Sequence, residues 1–321
     1  MTNIKEVAKQ AGVSPSTVSR VINNHPYVNI EKKNKVLQVI EKLNYIPNIN
    51  AIHLKKGITN LIGVVIPFSN HPYFSQLIQG ISEEAIKINK KIVLFQTSYD
   101  KDQEIDALEM LKLKQLDALI ICSRNISIEI IEPYLKYGPI SLFENIDDST
   151  FHTSYIDHYA SFKKSLYHLY EQGHRQIGCV VNRKNSSSSI QRISAYKDFC
   201  IEKNIDLNDK NIFDGYVLLE DGNKLSQVIN KLDKPPTALL ISGDYIAAGF
   251  YLSLTETQRQ QISIIGFEDQ EISKLLNITT VKVPLKEIGK SLFKQLDNKQ
   301  VTNYLFNTQL IIRNSVHKIS N

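Results

Sequence analysis

From Leu61 onward, short apolar runs alternate with longer amphipathic stretches, and this alternation restricts the fold more than any other feature of the chain. The runs occupy residues 62–66, 92–95, 118–121, 177–181, 238–241 and 262–265. A strand covered on one face alternates apolar and polar residues, whereas a run that is apolar throughout is covered on both. Such strands separated by helices predict parallel sheets with helices on each side. The roughly 260 residues of this pattern exceed what one sheet needs. Two α/β lobes are expected, with a ligand cleft at the carboxyl ends of the strands.

The first 56 residues differ. They hold nine Lys or Arg and three acids, a net of +6, whereas the remaining 29 bases and 30 acids nearly cancel. A basic module on a neutral body points to a polyanion partner, although a solvated lysine-rich domain has the same composition. Asn3 and Glu6 have capping-box spacing, and Ile4, Val7, Ala8 and Ala11 form one apolar stripe. Gly12 suits a tight turn, Ser14 a helix cap and Pro15 the first helical position. Val18, Val21 and Ile22 face inward from this second helix, and a third, over about residues 30–44, adds Val36, Leu37, Ile40 and Leu43. Helix, glycine turn and helix in so short a span predict a helix-turn-helix, whose second helix enters the major groove. Small hydroxyls at Ser16, Thr17 and Ser19 allow close approach and phosphate contacts, and Arg20 can bond guanine bidentately. Taken singly, Ser16, Thr17 and Asn23 also read as residues that cap and solvate a short helix.

Residues 4–23 closely resemble the opening signature of the lac repressor (LacI/GalR) family, continuing through Tyr27-Val28 and residues 43–48. The resemblance implies base contacts from Pro15, Ser16 and Arg20. It implies phosphate or groove-edge contacts from Ser14, Thr17, Ser19, Asn23, Tyr27 and Asn29. It implies a hinge that folds on the operator and enters the minor groove, with Leu54 as the wedge, Ala51 allowing close approach, and Asn48 and Lys55 among the contacts. Ile52 and His53 depart from the commoner Arg-Ser pair. The core resembles the periplasmic sugar-binding-protein fold. There the resemblance implies an effector site built from Phe68, Ser69, Tyr73, Phe74, Ser123, Asp157, Arg192, Asp244 and Asp269. Ala195 replaces a glycine in the pattern around Arg192, and Gly243 an asparagine before Asp244. These residues also have plainer readings: Arg192 as a surface arginine, Asp244 as a helix cap, and Phe68, Tyr73 and Phe74 as ordinary core. The serine run 186–189 reads as a flexible loop near the cleft mouth, with a phosphate nest as an alternative that no other sequence feature supports, and His174 as structural.

The fold expected is therefore α/β: an all-α helix-turn-helix head at 1–46, a hinge helix at 47–58, and a two-lobed, periplasmic-binding-protein-like core with parallel sheets at 59–321. Lobe one takes about 59–154 and 284–308, and lobe two about 155–283 and 309–321. The function expected is a transcriptional regulator, a homodimer on palindromic operator DNA that represses a carbohydrate-use operon under control of a sugar or sugar phosphate. A purine effector and a phosphoprotein corepressor are alternatives without a sequence feature of their own. So are a sugar sensor without operator binding and an α/β enzyme. Inducer and corepressor action fit equally. No Walker A, dinucleotide, H-E-x-x-H or G-x-S-x-G pattern occurs, and Cys122, Cys179 and Cys200 fit no metal spacing, so no enzyme activity, cofactor or metal is expected. No run reaches the ~20 apolar residues of a membrane span, and the amino terminus has no signal-peptide pattern. A cytoplasmic protein is expected.

Overall fold

The computed structural model describes residues 3–46, 57–146, 150–207 and 209–319. Its contacts divide the chain into two units, Met1–Thr59 and Asn60–Asn321.

In the first unit, α1 (Ile4–Ala11), α2 (Pro15–Ile22) and α3 (Ile30–Lys42) close around Val7, Ala8, Ala11, Val18, Val21 and Val36, all buried. The start of α1 is set by Asn3, whose Oδ1 accepts the Glu6 N–H at 3.0 Å. Gly12 ends it at φ 65°, a left-handed conformation that glycine adopts without steric penalty, and donates to the carbonyls of Ala8 and Lys9. Leu37 is 45% exposed and corrects the expectation that it joins this core. The inner stripe of α3 runs through Val36, Val39, Ile40 and Leu43, and position 37 lies a hundred degrees round from Val36.

The second unit begins with β1 (Leu61–Ile66), α4 (Pro72–Lys87), β2 (Lys91–Gln96) and α5 (Lys101–Lys112). β3 (Ala118–Ile121), α6 (Ile128–Ile131), β4 (Ile140–Leu142) and β5 (His152–Ile156) follow. Next come α7 (His158–Glu171), β6 (Ile177–Val180), α8 (Ser187–Glu202), β7 (Ile212–Phe213) and α9 (Leu219–Ile229). After these run β8 (Ala238–Ile241), α10 (Asp244–Ser253), α11 (Glu256–Gln261), β9 (Ser263–Glu268), α12 (Glu271–Leu275) and β10 (Thr279–Lys282). The chain closes with α13 (Leu285–Gln295), β11 (Asn303–Phe306) and β12 (Gln309–Ile311).

Two six-stranded sheets result, in the orders β11-β5-β4-β3-β1-β2 and β12-β10-β9-β8-β6-β7. Every pairing is parallel except that of β12 with β10. The inner strands β3, β6 and β8 are buried at every residue, as continuous apolar runs require. The chain passes between the sheets three times: after β5, after β10 and after β11. In the first lobe α4 and α13 cross with their backbones in near contact. A Cβ on Gly289 would lie 2.2 Å from the Leu77 carbonyl oxygen, and one on Gly80 2.0 Å from that of Lys286. His174 is structural: its ring nitrogens lie 2.9 Å from Thr237 Oγ1 and 3.1 Å from the His317 carbonyl oxygen.

Candidate functional site

A cavity of about 360 Å³ lies where the carboxyl ends of strands from both sheets converge, within the size range of small-molecule sites. The first lobe supplies Tyr73 and Phe74 from the start of α4, and Tyr99, Ser123 and Phe143 from beyond β2, β3 and β4. His71 caps α4, with Nδ1 accepting the Tyr73 N–H at 3.3 Å, and Pro72 opens it. Tyr73 then stacks on Phe143 at 6.0 Å between centroids, making an aromatic wall. The second lobe supplies His158, Asn182, Arg183, Arg192, Ser242 and Glu268. Residues 186–189 are not a flexible loop. Ser186 caps α8 by accepting the Ser189 N–H at 3.3 Å, and the other serines form its first turn. Ser188 and Arg192, four apart on α8, both line the cavity.

Arg192 and Glu268 are each only 7% exposed, yet no ion pair within 4 Å joins them among the described residues. Arg192 instead rests 4.9 Å from the Phe267 ring centroid. Burial pushes Glu268 well above the usual carboxylate range and Asp244 adds repulsion, while Arg192 opposes the shift. Burial, then Arg192, holds His158 far below the usual histidine range, so its ring is neutral. Burial, then Glu268, raises the Tyr73 phenol. Five buried side-chain atoms have no hydrogen-bond partner among the described residues, and four of them belong to residues lining this cavity: His158 Nδ1, Asn182 Oδ1, Arg192 Nε and Ser242 Oγ. A buried polar atom left unpaired costs about 1–3 kcal/mol. Their gathering around one cavity describes a surface that a polar ligand would complete.

Of the nine effector residues expected from sequence, Tyr73, Phe74, Ser123 and Arg192 line the cavity. The other five do not. Phe68 packs edge-on against Tyr99 at 5.7 Å, and Ser69 donates to Gln96 Oε1. Asp157 caps α7, accepting the Ala160 N–H at 2.8 Å. Asp244 is fully buried, with one oxygen accepting from Gln270 N–H at 2.7 Å and the other from Thr280 Oγ1 at 2.6 Å. Asp269 pairs with Arg313. Asp244 and Asp269 hold a strained turn: Glu268 and Asp269 take φ of 114° and 58°, conformations costing of order 1–3 kcal/mol each. That turn aims Glu268, one residue before the acid expected, into the cavity. Asn182, Arg183 and Ser242 lie one to three residues beyond β6 and β8, which is the signal that could have found them.

In the head, the outer side of α2 carries the residues expected to meet DNA. Pro15, Ser16, Arg20 and Asn23 are exposed, and Ser19 and Thr17 half-buried. Ser14 Oγ lies 2.7 Å from Ser16 Oγ and 2.9 Å from Thr17 Oγ1, and Asn23 Nδ2 donates to the Ser19 carbonyl at 2.7 Å. Tyr27 is 88% exposed, and Asn29 caps α3 by accepting the Glu31 N–H at 2.8 Å. Asn48, Ala51, Leu54 and Lys55 lie outside the described residues.

Residues 3–48 match the family described as bacterial regulatory proteins, lacI family. Residues 59–305 match periplasmic binding proteins and sugar binding domain of LacI family. An uncharacterized HTH-type transcriptional regulator of Bacillus subtilis strain 168, YkvZ, is 37% identical over 98% of this chain and all of its own. Among solved structures, the lac repressor dimer bound to operator and an anti-inducer is similar over 98% of this chain and 99% of its own, with TM-score 0.81 and 23% identity. A LacI family regulator from Lactobacillus casei with bound glucose covers 79% of this chain and 99% of its own, with TM-score 0.72 and 22% identity. With both of its units matched in order and relatives along its full length, the chain belongs to the lacI family of bacterial regulatory proteins and is a DNA-binding transcriptional regulator with a periplasmic-binding-protein-like domain.

Proposed function

We propose that this regulator represses a carbohydrate-use operon as a cytoplasmic homodimer on a palindromic operator, under control of a sugar or sugar phosphate held in the cavity. The observation that carries the effector reading is the set of partnerless buried atoms on Asn182, Arg192, Ser242 and His158 opposite the Tyr73–Phe143 wall. Polar groups fix hydroxyls in place and aromatic faces cover the apolar face of a sugar ring. The fold-level relative with bound glucose supports the same reading. Tyr73, Phe74, Ser123 and Arg192, joined by Glu268, are the proposed effector contacts. In the head, Ser14, Pro15, Ser16, Thr17, Ser19, Arg20, Asn23, Tyr27 and Asn29 are the proposed DNA contacts, with Asn48, Ala51, Leu54 and Lys55 acting in the minor groove. The proposed division of labour is a head at 1–46, a linker at 47–58 and a sensor at 59–321, with the lobe boundaries given above. The protein acts by binding rather than turnover: a ligand changes DNA affinity only through its different affinity for two arrangements of the core.

Operator selection from random duplexes with the full chain, followed by anisotropy titration at several salt concentrations with and without a saccharide panel, tests this. One enriched palindrome, a steep salt slope and release or enhancement by a saccharide are expected. Weak, sequence-independent binding under all conditions would sink the repressor reading.

A further inference from the structure

Among the described residues, three arginines and two glutamates line the cavity. Arg124 and Glu144 are joined by two hydrogen bonds of 2.7 and 2.9 Å, so their charges cancel locally. Arg192 and Glu268 form the second pair of opposite charge. Arg183 is left over. Its guanidinium lies 3.5 Å from the Tyr99 ring centroid and donates to two neutral acceptors, the Arg124 carbonyl at 3.1 Å and Asn125 Oδ1 at 3.4 Å. Among the described lining residues a positive excess therefore remains even with Glu268 ionised, and burial drives Glu268 toward its neutral form.

The same stretch of chain delivers a second source of positive potential. Ser186, Ser187 and Ser188, at the amino end of the sixteen-residue α8, all line the cavity. The opening N–H groups of a helix have no partner within it, and its dipole favours negative charge there. Arg192, just over one turn further along, is more than nine-tenths buried, lines the same cavity and has an unpartnered Nε. Ser242 Oγ is equally buried and equally unpartnered. A neutral sugar answers the unpartnered atoms but leaves the Arg183 charge in a partly enclosed, weakly screened site without a counter-charge among the described residues.

We infer that the effector is an acidic saccharide, bearing a phosphate or a carboxylate, and that its anionic group sits between the amino end of α8, Arg183 and Arg192. This rests on the proposed effector role of the cavity and narrows the class of ligand. Arg183 belongs to the second lobe and bonds the first, so an anion seated against it also reinforces the contact between lobes.

The test uses the full chain at fixed ionic strength, by calorimetry and thermal unfolding. The probes are glucose, glucose 6-phosphate and gluconate, ribose and ribose 5-phosphate, and inorganic phosphate against chloride. An acidic form is expected to bind at least about tenfold more tightly than its neutral counterpart, a difference of about 1.4 kcal/mol. The phosphate and gluconate arms show which anion is recognised, and inorganic phosphate alone is expected to raise the unfolding temperature beyond chloride. Arg183→Gln is expected to erase the preference. Ser187→Glu, which places a carboxylate at the helix amino end without harm to the helix, is expected to do the same. Neutral sugars binding as tightly as their acids would overturn the inference while leaving the effector reading intact, as would an undiminished preference in both variants. If no probe of either kind binds, the inference and the effector reading fall together.

Discussion

Asp244→Asn separates an acid that positions the cavity from one that contacts the ligand. Burial raises the Asp244 carboxyl from 3.8 to about 6, against the opposing effect of hydrogen bonds from Thr280 and Gln270. Its folded pKa exceeds its unfolded one, so the associated stability is present below about pH 4 and is lost as pH rises through about 6. At about 1.4 kcal/mol per pKa unit, the loss above pH 6 is about 3 kcal/mol. Asparagine keeps an acceptor for the Gln270 N–H, and its amide can donate to Thr280 Oγ1 once that hydroxyl rotates. It cannot ionise. The variant is therefore expected to match the parent near pH 4 and to exceed it by about 3 kcal/mol at pH 8, a rise of roughly 6–12 °C in unfolding temperature for a unit of this size. Thermal unfolding of both proteins across pH 4–8 measures this, with saccharide affinity measured alongside at pH 7. An advantage that does not grow with pH refutes the linkage argument. A tenfold or greater loss of saccharide affinity with the fold intact would restore Asp244 as a ligand contact.

Arg192→Gln removes the buried cavity cation and is expected to abolish saccharide-dependent stabilisation; an unchanged ligand-induced shift in unfolding temperature would contradict the site. Gly289→Ala forces a methyl to within 2.2 Å of the Leu77 carbonyl oxygen and is expected to destabilise the core by about 1–3 kcal/mol, read by urea unfolding. Arg20→Ala is expected to weaken binding to the selected operator by about 1–3 kcal/mol, with a much smaller effect on random duplex. Equal losses on both DNAs would make Arg20 a phosphate contact.

The two lobes were legible because β1, β3, β6 and β8 are covered on both faces and so read as uninterrupted apolar runs. β5 and β10 were not: His152, Thr153 and Ser154 in one and Thr279 and Thr280 in the other are buried polar residues. Their partners are distant in sequence. Thr153 lies 2.8 Å from Asn303, Ser154 pairs with Gln295, and Thr279 accepts the Arg313 N–H, contacts that no local pattern announces. In the cavity, residues just past strand ends were readable as a class, and Arg192 and Tyr73, both singled out from sequence, line it. Which acid at the end of β9 faces inward was not readable. That choice depends on two successive positive φ angles and on Arg313, which captures Asp269 from 44 positions away.

The threefold passage of the chain between the sheets has a consequence for synthesis. β5 pairs on one side with β4 and on the other with β11, which comes nearly 150 residues later. The first lobe therefore cannot complete its sheet when its own opening segment leaves the ribosome; it waits until the whole second-lobe run from β6 to β10 has been made. Until then β5 offers an open edge of the kind that pairs with neighbouring chains. A translation stop between β6 and residue 303 thus yields two unfinished lobes rather than one finished and one missing, and the nascent chain is exposed to aggregation for nearly half of its length.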